Sequence, residues 1–167
     1  MIGSTMPKDT IAVSFEVNDA AWTGEVEART TLADLLRDEV GLTGTKVSCE
    51  VGVCGACTIL LDGLPARACM HLAVQADGRR ITTVEGLAAD GELSPVQKAF
   101  QANHALQCGF CTPGFLVLTT WFLHNSEGEE LSERSIRELL SSNICRCTGY
   151  HNMVNAIRQL SEMDSEP

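Results

Sequence analysis

Residues 49–57 read Cys-Glu-Val-Gly-Val-Cys-Gly-Ala-Cys, and a fourth cysteine, Cys69, follows after eleven intervening residues. Further along the chain, residues 108–111 read Cys-Gly-Phe-Cys and residues 145–147 read Cys-Arg-Cys. Together these stretches contain all eight cysteines of the 167-residue chain. The fold must therefore bring together two groups of four thiols that are built on different spacings.

The first group has the spacing Cys-x4-Cys-x2-Cys with a more distant fourth cysteine. This spacing is typical of plant-type [2Fe–2S] sites, in which one loop supplies three thiolates. Gly52 and Gly55 leave the backbone of that loop free to close around a cluster and to direct N–H groups at its sulfur atoms. The second group, Cys-x2-Cys-x33-Cys-x1-Cys, follows no standard ferredoxin or zinc spacing, so spacing alone assigns it less firmly.

Disulfides and structural zinc are the alternative uses of these cysteines. The start of the chain lacks the basic, apolar and cleavage regions of a secretory signal, which predicts a reduced, cytoplasmic protein. In that compartment clustered cysteines bind metal or perform redox chemistry more often than they form bridges. Zinc sites favour two short cysteine pairs set apart, which disfavours zinc at the first group but leaves it open at the second.

Composition narrows the functional class. A hydrophobic content of 44% without a long apolar run predicts a soluble protein of one or two small domains, with no transmembrane segment. The net charge of −10, from 12 basic and 22 acidic residues, argues against a nucleic-acid partner. The chain contains no Gly-x-Gly-x-x-Gly or P-loop motif, and its four histidines have no metal-site or dyad spacing. We therefore assign no catalytic residue to it.

The first half of the chain has the pattern of strands around one helix. Apolar residues that recur along the stripe 32–40 predict a helix, which Thr31 and Asp34 cap and which Gly41 and Gly44 end. Four segments have the alternation or composition of strands, and a turn at residues 18–19 joins the first two into a hairpin: residues 11–17, 22–28, 58–61 and 81–84. The predicted fold class is α+β, opening with a β-grasp ferredoxin-like domain over residues 1–86.

The second half is predicted to be helical, after a linker at residues 87–93. Helix-start signals occur at Ser94 with Pro95, at Thr112 with Pro113, and at Ser132, and an apolar stripe over residues 153–160 predicts a last helix. The first of these helices should reach about His104. Each part of this region is thus helix, cysteine pair, helix. Two such hairpins can pack as a four-helix bundle over residues 94–167, with the cysteine pairs meeting at one end.

Three stretches carry a resemblance to a known family: residues 50–58, 107–114 and 145–150. They resemble the signatures of the small [2Fe–2S] iron–sulfur subunit of molybdenum hydroxylases. This subunit is similar to the N-terminal part of xanthine dehydrogenase and aldehyde oxidoreductase, and in bacteria it is a separate chain in carbon monoxide, nicotine and quinoline oxidising enzymes. The resemblance spans roughly residues 10–160.

The resemblance implies a role for each cysteine and for Gln107. A cluster distal to molybdenum would be held by Cys49, Cys54, Cys57 and Cys69. A proximal cluster would be held by Cys108, Cys111, Cys145 and Cys147. Gln107 would contact the pterin through its side chain, and Cys147 through its ligating sulfur.

The resemblance also implies partners. Electrons would pass from molybdopterin, in its cytosine dinucleotide form, in a large subunit through both clusters to FAD in a medium subunit. The complex would be a dimer of heterotrimers, and no substrate would be converted in this chain. An N-heteroaromatic substrate such as quinoline or nicotine is favoured. A carbon monoxide or aldehyde dehydrogenase, a free ferredoxin-like carrier and a zinc-stabilised interaction module are the alternatives.

Overall fold

The computed structural model describes residues 9–88, 91–126 and 131–163. The outer ends of the two expected domains and residues 89–90 of the expected linker lie outside these ranges. Within them the chain is mixed α/β, with a five-stranded sheet in the first half and helices in the second. No helix in the described ranges is long and apolar enough to cross a membrane.

The sheet has the strand order β2-β1-β5-β3-β4. Strand β1 pairs with β5 in parallel, and the other neighbours are antiparallel. The predicted β1–β2 hairpin is confirmed, and its two turn residues, Asn18 and Asp19, have φ of 49° and 63° as a tight hairpin turn requires. The strands are β1 Thr10–Val17, β2 Ala20–Glu27, β3 Thr58–Leu61, β4 Leu64–Arg67 and β5 Arg80–Thr82.

Two strand predictions need correction. Strand β4 was not predicted. Pro65 interrupts its pattern, but β4 lies at the sheet edge, where a proline is tolerated. The Asp62-Gly63 pair, a strong hairpin signal, joins it to β3. Strand β5 covers Arg80–Thr82 rather than residues 81–84, since Val84–Leu87 forms a 3₁₀ turn whose apolar side chains pack against the helical half.

The predicted first helix, α1, begins at Leu32 and changes character after one turn. Its α-helical part is Leu32–Asp34 and continues as a π-helical turn over Leu35–Glu39. Thr31 caps it as predicted, its hydroxyl accepting from the Asp34 N–H at 3.1 Å. The stripe of α1 packs with the inner faces of β1, β3 and β5 in one hydrophobic core. This core ends at the first cysteine group, because Cys57 is part of it.

Four further helices follow: α2 Pro95–Ala102, α3 Thr112–Asn125, α4 Glu133–Ser141 and α5 His151–Met163. Ser94 and Ser132 cap α2 and α4 as predicted. The prediction that Thr112 caps α3 is wrong, because Thr112 is the first helical residue and Cys111 occupies the cap position. The Thr112 hydroxyl is buried and has no partner in the part of the chain that the structure describes. Helix α2 ends at Ala102, short of His104.

The four helices surround a second core. Helix α5 packs against α2 and α4, and α3 packs against the same two helices. Phe100, Phe115, Ile136, Met153 and Ile157 are fully buried between them. Helix α3 also packs against β3 and β4, so the helical half lies directly against the sheet edge. That contact brings the two cysteine groups to a common boundary.

Candidate metal centres

The first cysteine group lies between α1 and the sheet. Residues 49–57 form a loop that leads into β3, and Cys69 lies in the 3₁₀ turn Ala68–Met70 after β4. The antiparallel pairing of β3 and β4 places Cys69 next to Cys57, whose carbonyl accepts from the Ala68 N–H at 3.2 Å. The structure therefore brings the distant fourth cysteine back to the loop, as the spacing predicts.

Backbone N–H groups of the loop point at the sulfur of Cys49. The Cys54 N–H lies 3.4 Å from Cys49 Sγ, and hydrogen bonds from Cys54 and Val51 lower the pKa of this thiol to about 6. The turn that presents these groups depends on Gly52 and Gly55, which have φ of 77° and 72°. Cys57 differs, because burial raises the pKa of its thiol to about 11. Backbone N–H donors such as those at Cys49 stabilise a thiolate or a cluster sulfur.

The second cysteine group is assembled from the α2–α3 loop and the α4–α5 loop. Cys147 Sγ lies 3.6 Å from Cys108 Sγ, and both side chains are exposed. Cys111 and Cys145 form a second, more buried contact. Burial, followed by the hydrogen bond that the Cys111 thiol donates to Cys145, raises the pKa of Cys111 to about 12. The structure thus joins two cysteine pairs that 33 intervening residues separate, which confirms that the pairs meet.

Tyr150 and Thr148 hold the second of these loops, and no role was predicted for either. The Cys145 N–H donates to the Tyr150 hydroxyl at 2.8 Å, and that hydroxyl donates to the Asn143 carbonyl at 3.3 Å. Thr148 donates to Cys145 Sγ through its hydroxyl at 3.1 Å and its N–H at 3.4 Å. Burial opposes ionisation of Cys145, but the hydrogen bonds from Thr148, together with those from the Cys147 N–H and the Cys111 thiol, outweigh it and lower the pKa of Cys145.

Each group is arranged as two thiol pairs. The contacts pair Cys49 with Cys54, Cys57 with Cys69, Cys108 with Cys147, and Cys111 with Cys145. Within the part of the chain that the structure describes, no three His, Cys, Asp or Glu side chains form a preassembled set for one metal ion. Zinc needs four ligands around a single ion, whereas the four thiolates of a [2Fe–2S] cluster are shared between two irons. Two thiols for each of two irons match the ligand arrangement of a [2Fe–2S] cluster.

The two groups share a boundary. A cavity of about 300 Å³ is lined by Cys54 from the first group and by all four cysteines of the second. Across this boundary the Ile144 N–H donates to the Cys54 carbonyl at 2.8 Å. Since Ile144 immediately precedes Cys145, one hydrogen bond connects the backbones of the two groups. The two centres are neighbours rather than independent sites on separate faces.

Gln107 lies in the loop between α2 and α3, immediately before Cys108, and is exposed. Cys147 is exposed beside the same loop. Both residues that the resemblance places against a pterin are therefore on the accessible side of the second group. Their contact with a cofactor stays a prediction.

A mixed α/β fold that carries two groups of two thiol pairs is that of a protein with two iron–sulfur sites. The matches to family models indicate the same two sites. Residues 15–84 match a 2Fe-2S iron-sulfur cluster binding domain, and residues 83–158 match a [2Fe-2S] binding domain. The chain is 55% identical over 150 residues to the caffeine dehydrogenase subunit gamma of Pseudomonas sp. (strain CBB1), covering 89% of this chain and 90% of that one.

A second relative and a solved structure show to which family of iron–sulfur proteins the chain belongs. The nicotine 6-hydroxylase small subunit of Paenarthrobacter nicotinovorans is 53% identical over 151 residues, covering 90% of each chain. The crystal structure of quinoline 2-oxidoreductase from Pseudomonas putida 86 superposes with a TM-score of 0.87 at 47% identity, covering 93% of this chain and 95% of that chain. The protein belongs to the small [2Fe–2S] iron–sulfur subunits of molybdenum hydroxylases and serves in electron transfer within an oxidoreductase.

Proposed function

We propose that the chain carries two [2Fe–2S] clusters between a molybdopterin site in a large subunit and FAD in a medium subunit. The cluster nearer the flavin is held by Cys49, Cys54, Cys57 and Cys69. The cluster nearer the pterin is held by Cys108, Cys111, Cys145 and Cys147. A bound [2Fe–2S] cluster supplies a one-electron carrier, and the two in series connect a two-electron oxidation to the flavin.

The observation that carries this proposal is the junction between the two groups. Cys54 of the first set lines one cavity with all four cysteines of the second, and the Cys54 carbonyl accepts from the Ile144 N–H. This contact suits an electron path better than two unrelated structural sites would. The N–H and hydroxyl donors at Cys49 and Cys145 would also bond the reduced, more negative cluster more strongly, which raises its potential. The chain itself therefore orients the clusters and adjusts their potentials.

Exposed apolar side chains beside each group support a partner on each side. Val51, Val53 and Met70 are more than half exposed around the first group. Phe110 and Ile144 are about half exposed beside the second. Exposed apolar residues gathered around a functional site are typical of protein–protein contact. By the family resemblance, the flavin subunit covers the first surface and the molybdenum subunit covers the second.

We also infer the finer architecture. Residues 1–86 form a β-grasp domain, residues 87–93 the linker, and residues 94–167 a four-helix bundle. Two separate hydrophobic cores support this division. Val84, near the end of the first domain, and Leu87, at the start of the linker, pack on the second core.

The substrate of the complex is proposed to be an N-heteroaromatic ring. The relatives named for caffeine, nicotine and quinoline support this choice over carbon monoxide. A relative named aldehyde oxidoreductase keeps that alternative in view. The assembly is proposed to be a cytoplasmic dimer of heterotrimers with the cytosine dinucleotide form of molybdopterin. A free carrier or a zinc module is less well supported, because the caffeine and nicotine relatives are named as subunits and both family models describe [2Fe–2S] domains.

Iron and spin measurements test this function. We expect the purified chain with its partners to contain iron rather than zinc and to give two distinguishable signals in electron paramagnetic resonance (EPR) after reduction. The two ligand sets differ in exposure and hydrogen bonding, and [2Fe–2S] potentials span roughly −700 to +450 mV according to such differences. Copurification with two larger chains separates a subunit from a free carrier. A single cluster signal, or zinc in place of iron, would contradict the proposal.

A second test concerns Gln107 as a pterin contact. Gln107→Ala should leave both clusters assembled, since no thiol is lost, but remove a hydrogen bond of about 0.5–1.5 kcal/mol to the cofactor. We expect normal iron content, with weaker molybdenum cofactor retention or slower cluster reduction by substrate. Gln101→Ala, an exposed glutamine on α2 away from the cysteines, is the matched control. Unchanged molybdenum occupancy together with an unchanged reduction rate would remove this role from Gln107.

A further inference from the structure

Asn143 occupies an unusual position at the boundary between the two cysteine groups. It is only 1% exposed, and it lies between α4 and Cys145. Its Nδ2 donates to the Gly55 carbonyl at 3.1 Å and to Thr58 Oγ1 at 3.4 Å. These partners flank Cys57 in the first loop. One buried amide therefore ties the approach to the second group onto the backbone that carries the first.

Arg67 reinforces the same junction from strand β4. Its guanidinium donates to the Thr58 hydroxyl and to the Ser142 carbonyl, the latter at 2.7 Å. Thr58 in turn donates to the Gly55 carbonyl at 2.6 Å. Asn143 and Arg67 thus converge on Thr58 from opposite halves of the chain.

The backbone at the junction is packed too closely to slide. A Cβ on Gly55 would lie 2.0 Å from Asn143 Oδ1, and a Cβ on Gly114 of α3 would lie 2.4 Å from the Gly55 carbonyl oxygen. The Ile144 N–H bond to the Cys54 carbonyl is part of the same contact. Gly55 and Gly114 allow the two backbones to approach this closely, and a side chain at either position would push them apart.

Packing alone does not explain why a buried asparagine stands at position 143. Its Oδ1 is buried and has no hydrogen-bond partner among the described residues. This opposes folding, because a buried polar atom loses its bonds to water. An apolar side chain would fill the space without that cost but would not fix the loop to Gly55 and Thr58. The two hydrogen bonds of Nδ2 are directional, so they fix the position of the Asn143 loop relative to the first cysteine loop, which apolar packing would not do.

We propose that Asn143, supported by Arg67 through Thr58, is a positioning residue that fixes the separation and orientation of the two clusters. This inference rests on the proposed function, since it takes a cluster at each cysteine group. Electron transfer weakens steeply with separation, and the magnetic dipolar interaction between two reduced clusters falls as the inverse cube of their distance. A small shift of residues 142–145 would therefore change both the rate of electron transfer and the magnetic interaction.

The test is the splitting of the EPR signals in the fully reduced full-length chain, purified with its partners. We expect the wild type to show a low-temperature splitting from the interaction of the two clusters. Asn143→Ala removes both Nδ2 bonds, and Asn143→Asp turns an oxygen toward the Gly55 carbonyl. Both variants should reduce the splitting measurably while keeping wild-type iron content. The signal of each cluster recorded alone, at partial reduction, should keep its g values.

Asn103→Ala is the matched control, because the Asn103 amide donates to Ala99 and Gln159 within the helical half only. It should leave the splitting unchanged. Should the Asn143 variants fail to fold, Arg67→Leu should weaken the splitting and Arg67→Lys should restore part of it. Unchanged splitting in Asn143 or Arg67→Leu variants with full iron would overturn the inference alone. A wild type without two clusters would overturn the proposed function, and this inference with it.

Discussion

Replacing Cys57 by alanine is expected to halve the iron content of the chain and to remove one of the two EPR signals. Cys57 is the most buried thiol of the first group and lies next to Cys69 at the start of β3. Without it one iron of that cluster keeps a single protein ligand, and four thiolates are needed. Substrate should still reduce the cluster of the helical half, but electrons should no longer reach the flavin. Iron analysis, EPR and flavin reduction measure these three effects.

The second cluster should survive this substitution because the halves have separate cores. Every side chain of the helical core comes from residues 84–160, and the first core draws on residues 13–81. The variant should still melt at a lower temperature, since a bound metal centre contributes folding free energy. Cys111→Ala is the mirror control and should remove the other signal only. Loss of both clusters in either variant would mean that the halves fold as one unit.

The parts of the fold that the sequence predicts well are those set by local chemistry. Capping at Thr31, Ser94 and Ser132, the hairpin turn at residues 18–19 and the first cysteine loop all depend on residues within a few positions of one another. Strand β4 also had a local signal, the Asp62-Gly63 pair, which outweighs Pro65 at a sheet edge.

Other features could not be predicted because their causes are distant in the sequence. Asn143 meets Gly55 across 88 positions, and Arg67 meets Ser142 across 75. A lone asparagine before a cysteine pair is equally typical of a loop, so nothing local indicates burial. Thr112 has the sequence of a helix cap, yet the packing of α3 against the first loop places it inside the helix. Tertiary contact overrides the local preference there.

Gly55→Ala is expected to destabilise the chain strongly through the junction. Gly55 has φ of 72°, where a Cβ costs roughly 1–2 kcal/mol. Its Cβ would also meet Asn143, whose side chain is buried and held by two hydrogen bonds, and overpacking costs about 1–3 kcal/mol more. Gly63→Ala in the β3–β4 turn isolates the first cost, because φ there is 80° and nothing lies within 4 Å of the added Cβ.

The melting temperature should therefore fall about twice as far or more in Gly55→Ala as in Gly63→Ala, at about 2–4 °C per kcal/mol for a chain of this size. The double variant Gly55→Ala with Asn143→Ala separates strain from collision. Removing the Asn143 side chain frees the space for the new methyl group, so the double variant should be more stable than the sum of the two single losses implies. Equal losses for Gly55→Ala and Gly63→Ala, with strictly additive effects in the double variant, would show that Asn143 does not press on Gly55. The close approach of the two cysteine loops would then have to depend on α3 and Gly114 instead.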